Sequence, residues 1–289
     1  MKKRGMKKGA VKKRKNTGFE RIINNIKNVR IQGATNIAKA GIRAFFLKPK
    51  NLSEKKAAME IISARETEPL LQNALRYIIK SKNKKKASAK FLNYIKISQK
   101  KLVKKGSFLI KNNMNVFTHC HSSTVISILK EAKKRKKKFV VYTAEVEPLF
   151  QGRMTAHELA DFGIKVIVSP DLAAEQMLKK CDIFLFGADA FLKKGIANKI
   201  GTSILCRIAK EFNIPRYSCG ISSKYARKIK LETRSSREVW DERNKKIEII
   251  NPAFDFVKRK FISKVVSEFG ILPYRQFIKK AKENMKKWK

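Results

Sequence analysis

Cys120 stands between His119 and His121, two of the three histidines in a chain of 289 residues, where a short apolar run ends and a polar turn begins. The turn continues as Ser122-Ser123-Thr124 into a helical stretch at 125–130. Backbone amides at that helix start, together with the three hydroxyls, are suited to an anion. A helix N-terminus also lowers a thiol pKa, which makes Cys120 a candidate base or nucleophile. The competing reading is a buried, inert cysteine followed by helix-capping serines. Asp189, in Gly187-Ala188-Asp189, follows the apolar run 183–186 directly. A carboxylate in that position must be hydrogen-bonded, bound to a metal or held protonated. Protonated and facing a thiolate, it would complete an acid/base pair; otherwise it caps the next turn. Asn198-Lys199-Ile200-Gly201-Thr202-Ser203 offers donors for sugar hydroxyls or phosphate, and Gly201 allows close backbone approach. Glu145 and Gln151-Gly152-Arg153 follow another apolar run, 139–143.

These groups need a scaffold that brings them together. Apolar residues up to about position 105 recur with helical spacing: Phe19, Ile22, Ile23 and Ile26; Ile37, Ala38, Gly41 and Ala44; Leu70, Leu71, Ala74, Leu75 and Ile78. Residues 80–86 read as a charged turn, and Phe91, Tyr94, Ile95 and Ile97 begin a further helix. Beyond that point short apolar runs at 115–118, 139–143, 166–168, 183–186, 216–219 and 247–250 alternate with helical stretches at 123–133, 154–162, 171–179 and 198–212. Strand followed by helix at this spacing predicts an α/β fold with a parallel sheet. Ligands in such sheets sit at the carboxyl ends of the strands, where Cys120, Glu145, Gln151 and Asp189 fall. The organisation read from the chain is a basic tail over 1–16, a helical N-terminal domain over 17–108 and a Rossmann-like α/β catalytic domain over 109–289.

Lys and Arg number 69 against 23 Asp and Glu, a net charge of +46. Such a surplus invites binding of nucleic acid through counterion release. The composition argues for a solvated cationic surface instead: 52 of the 69 are lysine, and nucleic-acid surfaces favour the planar fork of arginine. RNA contact is left to the tail, whose residues 1–15 hold nine basic side chains. With 43% apolar residues the chain can bury a core, so disorder throughout is excluded. No run of 18 apolar residues predicts a membrane span. Four cysteines without a CxxC pair, and with no signal peptide before them, predict no disulfide scaffold, no cysteine zinc site and a cytoplasmic setting.

Five motifs in order carry a resemblance to a known family: Thr118-His-Cys-His-Ser-Ser-Thr-Val125, Gln151-Gly-Arg153, Gly187-Ala-Asp189, Asn198-Lys-Ile-Gly-Thr202 and Asn251-Pro-Ala-Phe-Asp255. From about Asn25 to Pro273 the chain resembles the family that unites archaeal ribose-1,5-bisphosphate isomerases, methylthioribose-1-phosphate isomerases and the regulatory subunits of initiation factor 2B. The His-Cys-His-Ser-Ser-Thr-Val form is similar to the first branch. The resemblance implies a helical N-terminal domain, a Rossmann-like C-terminal domain and assembly as dimers or trimers of dimers. It implies that Cys120 removes the C2 proton of a phosphorylated pentose and that Asp189 is the acid, without metal or redox cofactor. It assigns substrate contacts to Gly33, Ala34, Arg65, Gln151, Asn198, Lys199 and Lys224. Two departures stand out: the family's Arg-Gly-Ala is Gln32-Gly33-Ala34 here, with Arg30 two residues away, and its Glu-Thr-Arg-Pro is Glu145-Val-Glu147-Pro148. The expected activity is isomerisation of ribose 1,5-bisphosphate to ribulose 1,5-bisphosphate in nucleotide salvage. The alternatives are a non-catalytic initiation-factor-2B-like regulator and an isomerase for another aldose 1-phosphate, such as methylthioribose 1-phosphate.

Overall fold

The computed structural model describes residues 17–288; the basic tail 1–16 lies outside the described residues. Five helices come first: α1 (Gly18–Lys27), α2 (Ala34–Phe46), α3 (Glu54–Ser63), α4 (Pro69–Lys80) and α5 (Lys84–Ser107). Their starts follow from local chemistry. Thr17 and Glu20 form a capping box on α1, Ser53 caps α3, and Pro69 opens α4 where no amide is needed. Asn83 accepts from the Lys86 amide at 2.9 Å and so starts α5 at Lys84, earlier than the apolar stripe from Phe91 predicts. Residues 84–86 are therefore the first turn of a helix and not a charged turn. Lysine is a good helix former, and its ammonium stays in water on either reading.

The rest of the chain alternates as expected: β1 (Met114–His119), α6 (Ser123–Lys134), β2 (Phe139–Ala144), α7 (Gln151–Ala160), β3 (Lys165–Ser169), α8 (Ala174–Leu178), β4 (Ile183–Gly187), β5 (Ala190–Leu192), β6 (Gly195–Lys199), α9 (Thr202–Glu211), β7 (Arg216–Cys219), β8 (Phe254–Lys258), β9 (Lys264–Ser267), β10 (Gly270–Leu272) and α10 (Tyr274–Lys286). Seven strands form one sheet in the order β10-β9-β7-β4-β1-β2-β3, parallel except for β10. The fold class is thus α/β, with a helical region ahead of a mostly parallel sheet. The chain runs outward from β1 through β2 to β3, then returns to place β4 on the other side of β1. That reversal leaves a crevice beyond the carboxyl ends of β1 and β4, where His119 pairs in register with Phe186.

Two expectations fail here. Residues 198–212 do not form one helix. Asn198 and Lys199 end β6 in a small antiparallel sheet, β5-β6-β8, and Gly201, at φ +95°, turns the chain into α9. Residues 247–250 form no strand: β9 takes the place beside β7, and Ile250 is left 73% exposed in the irregular segment between β7 and β8. Helix α10 returns to the N-terminal helices, where the Trp288 ring meets Tyr77, Phe91 and Tyr94 at centroid distances of 5.0, 5.1 and 4.6 Å.

The glycine of Gln151-Gly152-Arg153 has a packing cause. A Cβ at Gly152 would lie 1.7 Å from the Ala144 carbonyl oxygen, because the first turn of α7 sits against the end of β2. The clash is with backbone, which cannot rotate away. Gly152→Ala is expected to destabilise the fold by about 2 kcal/mol or more. A denaturant midpoint matching the wild type would show that β2 and α7 tolerate separation.

Candidate active site

One cavity sits over the crevice, lined by Val29, Gln32, Gly33, Arg65, Glu68, Cys120, His121, Leu149, Gln151, Asp189, Lys199, Arg234, Ala253 and Phe254. Of the residues expected at the site, Cys120, Asp189, Gly33, Arg65, Gln151 and Lys199 meet there. Ala34, Asn198 and Lys224 are buried and do not line the cavity. Asn198 donates from Nδ2 to the Thr202 hydroxyl at 3.0 Å, and Lys224 donates from Nζ to the Ala188 carbonyl at 2.6 Å. Lys224 thus braces the chain just before Asp189, and Asn198 braces the turn from β6 into α9. A larger cavity, about 630 Å³, lies on α4, α10 and residues 225–228; its lining includes arginines and lysines but no thiol, carboxyl or imidazole.

Cys120 directly follows β1 and takes a left-handed backbone, φ +66°. A non-glycine residue there costs energy that its surroundings must supply. The Thr155 hydroxyl donates to the Cys120 carbonyl at 2.9 Å and is itself 3.1 Å from His121 Nδ1. His121 in turn faces Glu158 at 3.5 Å, which Lys130 holds at 2.8 Å. His119 lies inward, its Nε2 2.9 Å from the Ile200 carbonyl. Burial lowers its pKa to about 4, so it is neutral and ties the end of β1 to the turn after β6. Neither histidine is placed as a free base on the cavity.

The expectation that the helix start lowers the thiol pKa is overturned. Ser122 caps α6, while Ser123 and Thr124 line a different cavity with Thr35 and Gln99, so the three hydroxyls do not gather on one anion. Burial pushes the Cys120 thiol up to about 11; the Asp189 charge adds to the rise, while Lys199, the His121 amide and Arg65 oppose it. Lys199 is the largest of the opposing influences, and burial lowers its own pKa. Asp189 is raised, mainly by burial, with Lys224, Arg65 and Lys199 pulling the other way. The site therefore holds a protonated thiol facing an acid of raised pKa, with cations around both.

Arg65 reaches the cavity rim beside the Phe254 ring, 5.5 Å from its centroid, and pairs with Glu232 at 3.1 Å. Arg234 forms a double contact with Glu238, which also accepts from Asn251 Nδ2 at 3.2 Å. Asn251 thus pins the 234–238 turn, and Asp255 accepts from the Gly201 and Ser203 amides at 3.1 and 2.8 Å, capping α9. Both polar members of the Asn251–Asp255 motif hold the walls of the site. The two departures from the family pattern fall differently. Gln32 lines the cavity, whereas Arg30 and Glu147 are exposed and do not line it, so the charge reversal at Glu147 does not reach the site. Sequence reasoning missed Glu68 and Arg234. Arg234 carried no local signal, since its placement depends on the irregular segment after β7.

Among the described residues no group of three or more His, Cys, Asp or Glu side chains is placed to hold a metal ion. Among the described residues no helix is long and apolar enough to cross a membrane. What the fold and the cavity define is a Rossmann-like α/β protein with a thiol, two carboxyls and several cations at the switch point of its sheet. The chain belongs to the initiation factor 2 subunit family, whose model matches residues 30–274. A ribose 1,5-bisphosphate isomerase of Methanocaldococcus jannaschii is 34% identical over 274 residues, covering 86% of this chain and 89% of that protein. The crystal structure of the translation initiation factor eIF-2B of Pyrococcus horikoshii OT3 superposes with a TM-score of 0.81 at 28% identity, over 90% of this chain and 98% of that one. The tetrameric eIF2B-beta2-delta2 complex of C. thermophilum contains the same fold, at a TM-score of 0.68 and 16% identity, over 92% of this chain and 93% of that one.

Proposed function

We propose that this protein isomerises ribose 1,5-bisphosphate to ribulose 1,5-bisphosphate, with Cys120 as base and Asp189 as acid. The observation that carries the proposal is that the two groups reach one cavity from the ends of adjacent central strands, among Arg65, Lys199 and Arg234. The similarity to the M. jannaschii isomerase supports the choice of sugar. An aldose phosphorylated on its C1 oxygen has no free aldehyde, so the ring must be opened by an acid. Asp189 gives its proton to the ring oxygen as the C1–O bond breaks. Cys120, as thiolate, takes the C2 proton, leaving an enol across C1 and C2. The same proton returns from sulfur to C1, the C2 hydroxyl gives its proton back to Asp189, and the C2 ketone results. Atoms and charges balance with no co-reactant. Gln151, Gly33 and the nearby cations fit hydroxyl and phosphate contacts, with Asn198 and Lys224 shaping the wall. The chain divides in this reading into a helical part, 17–108, and a catalytic part, 109–289, and works as a homo-oligomer.

Incubating purified protein with ribose 1,5-bisphosphate and trapping ribulose 1,5-bisphosphate by carboxylation with Rubisco tests the reading directly; absence of product assigns the site to binding alone. Binding alone is the second reading, a regulator that holds a sugar phosphate. It is favoured by the ion pairs that already engage Arg65 and Arg234.

A pH profile follows from the thiol. The thiolate is the working form, and with the thiol at about 11 its fraction grows about tenfold per pH unit below that value. kcat/KM should therefore climb with unit slope through neutrality toward about 8. A profile that is flat between about pH 6 and pH 8 would show that another group takes the proton.

A further inference from the structure

Glu68 lines the cavity and has no part in the reaction just described. It occupies the residue before Pro69 at the start of α4, yet its side chain makes no capping bond to that helix. Only 2% of the residue is exposed, and Oε2 is buried without a hydrogen-bond partner among the described residues. A carboxyl left in this state has no structural use, because a buried polar group that stabilises a fold is a bonded one. The titratable and charged groups whose charge acts on it come from four segments: Asp189 after β4, which lines the same cavity, Lys224 in the turn after β7, Arg65 ahead of α4, and Glu232 in the irregular segment beyond. Neither cation is bonded to it. Arg65 pairs with Glu232 at 3.1 Å, and the Lys224 ammonium donates to the Ala188 carbonyl at 2.6 Å. Asp189 likewise has no ion pair or side-chain hydrogen bond among the described residues. A buried and a largely buried carboxyl on one cavity, with no cation bonded to either, do not both ionise at neutral pH.

We propose that Glu68 and Asp189 form a proton-sharing carboxyl pair, in which Glu68 is a positioning residue that keeps Asp189 supplied with the proton it gives to the sugar. The catalytic part of this inference rests on the isomerase reading. The pair's one proton passes from the Glu68 carboxyl to the Asp189 carboxylate, and Asp189 gives it to the ring oxygen. When the C2 hydroxyl is deprotonated at the end of the cycle, that proton restores the pair. Nothing is consumed. Burial, and after it the Asp189 charge, pushes Glu68 up to about 8, which keeps the pair singly protonated at neutrality.

The kinetic consequence is specific. Between about 8 and about 11 the loss of the pair's proton cancels the gain in thiolate, so kcat/KM is level there. Glu68→Gln removes the partner carboxyl, and Asp189 then ionises at lower pH under the pull of Lys224, Arg65 and Lys199. The bend in the profile moves to lower pH, and the level part falls about tenfold for each unit of that movement. At acid pH the variant and wild-type profiles meet, because the acid is protonated in both. A defect in folding would lower the rate at every pH instead.

Infrared titration of the carboxyl stretch, run beside the kinetics on wild type, Glu68→Gln and Glu68→Asp, tests the pair without depending on turnover. Wild type should show a protonated carboxyl at pH 7 that disappears through about 8, well above Asp255, whose pKa is about 6. Glu68→Gln should lose that signal and lose rate at least tenfold at neutral pH, and Glu68→Asp should restore much of both. A wild type without the signal overturns the pair, as does a Glu68→Gln enzyme with the wild-type rate and bend. If ribose 1,5-bisphosphate is not turned over while the signal is present and vanishes in Glu68→Gln, the isomerase reading falls and the pair stands.

Discussion

Cys120→Ser is expected to lower kcat by about 10²–10⁴-fold while leaving the melting temperature nearly unchanged, since a positioned general base contributes on that scale. The serine hydroxyl is a far weaker acid than a thiol, so burial that already holds the thiol at about 11 leaves almost no alkoxide at neutral pH. The backbone would not notice the exchange. The bond from the Thr155 hydroxyl runs to the Cys120 carbonyl, and the left-handed turn is fixed by the end of β1 and the start of α6, not by sulfur. Single-turnover measurement with ribose 1,5-bisphosphate, beside a thermal melt, separates the outcomes. A variant that keeps more than about a tenth of the wild-type rate would make the thiol structural and end the proposed mechanism. Loss of both rate and melting temperature would say instead that sulfur packs the strand end.

Cys120 and Asp189 could be picked out in the sequence because each follows a strand buried on both faces. Val116, Phe117, Phe184, Leu185 and Phe186 are fully buried, and the change from apolar to polar types marks the carboxyl edge of the sheet. Helix α4 was legible for a related reason, since its stripe from Leu70 to Ile78 meets one core. Elements that depend on distant partners were not. Strands β6 and β8 are separated by more than fifty residues and pair only because each completes the small sheet, with Asn198 opposite Asp255. The apolar residues at 247–250 have the right local pattern for a strand and no neighbour to pair with. The same limit applies to the chemistry. A helix start argues for an acidic thiol on local grounds, but burial by the segment ahead of α4, the end of β6 and the residues around the start of β8 outweighs it, and those elements meet Cys120 only in the fold. Glu68 reads locally as an acidic residue at a helix start, a common and unremarkable place for one; only the closure of the site over β4 reveals that it shares a cavity with Asp189.

Asp189→Asn should separate turnover from binding. Asparagine keeps the shape of the side chain and still accepts and donates hydrogen bonds, but it has no acidic proton to give to the ring oxygen. kcat is expected to fall by about 10²–10⁴-fold. KM should move in the opposite sense to a simple loss of contacts. Lys224, Arg65 and Lys199 all act on Asp189, and each favours its ionised form. Replacing that carboxyl with a neutral amide leaves their charge less compensated, so a substrate carrying two phosphates meets a more positive cavity. An unchanged or lowered KM beside a collapsed kcat is the pattern of a group that works in the transition state and not in the ground state. Initial rates across a range of ribose 1,5-bisphosphate concentrations, supported by calorimetric binding of the substrate to the slow variant, measure both halves. A raised KM with kcat intact would place Asp189 among the binding residues. The proton for ring opening would then have to come from Glu68, the one other carboxyl that lines the cavity among the described residues.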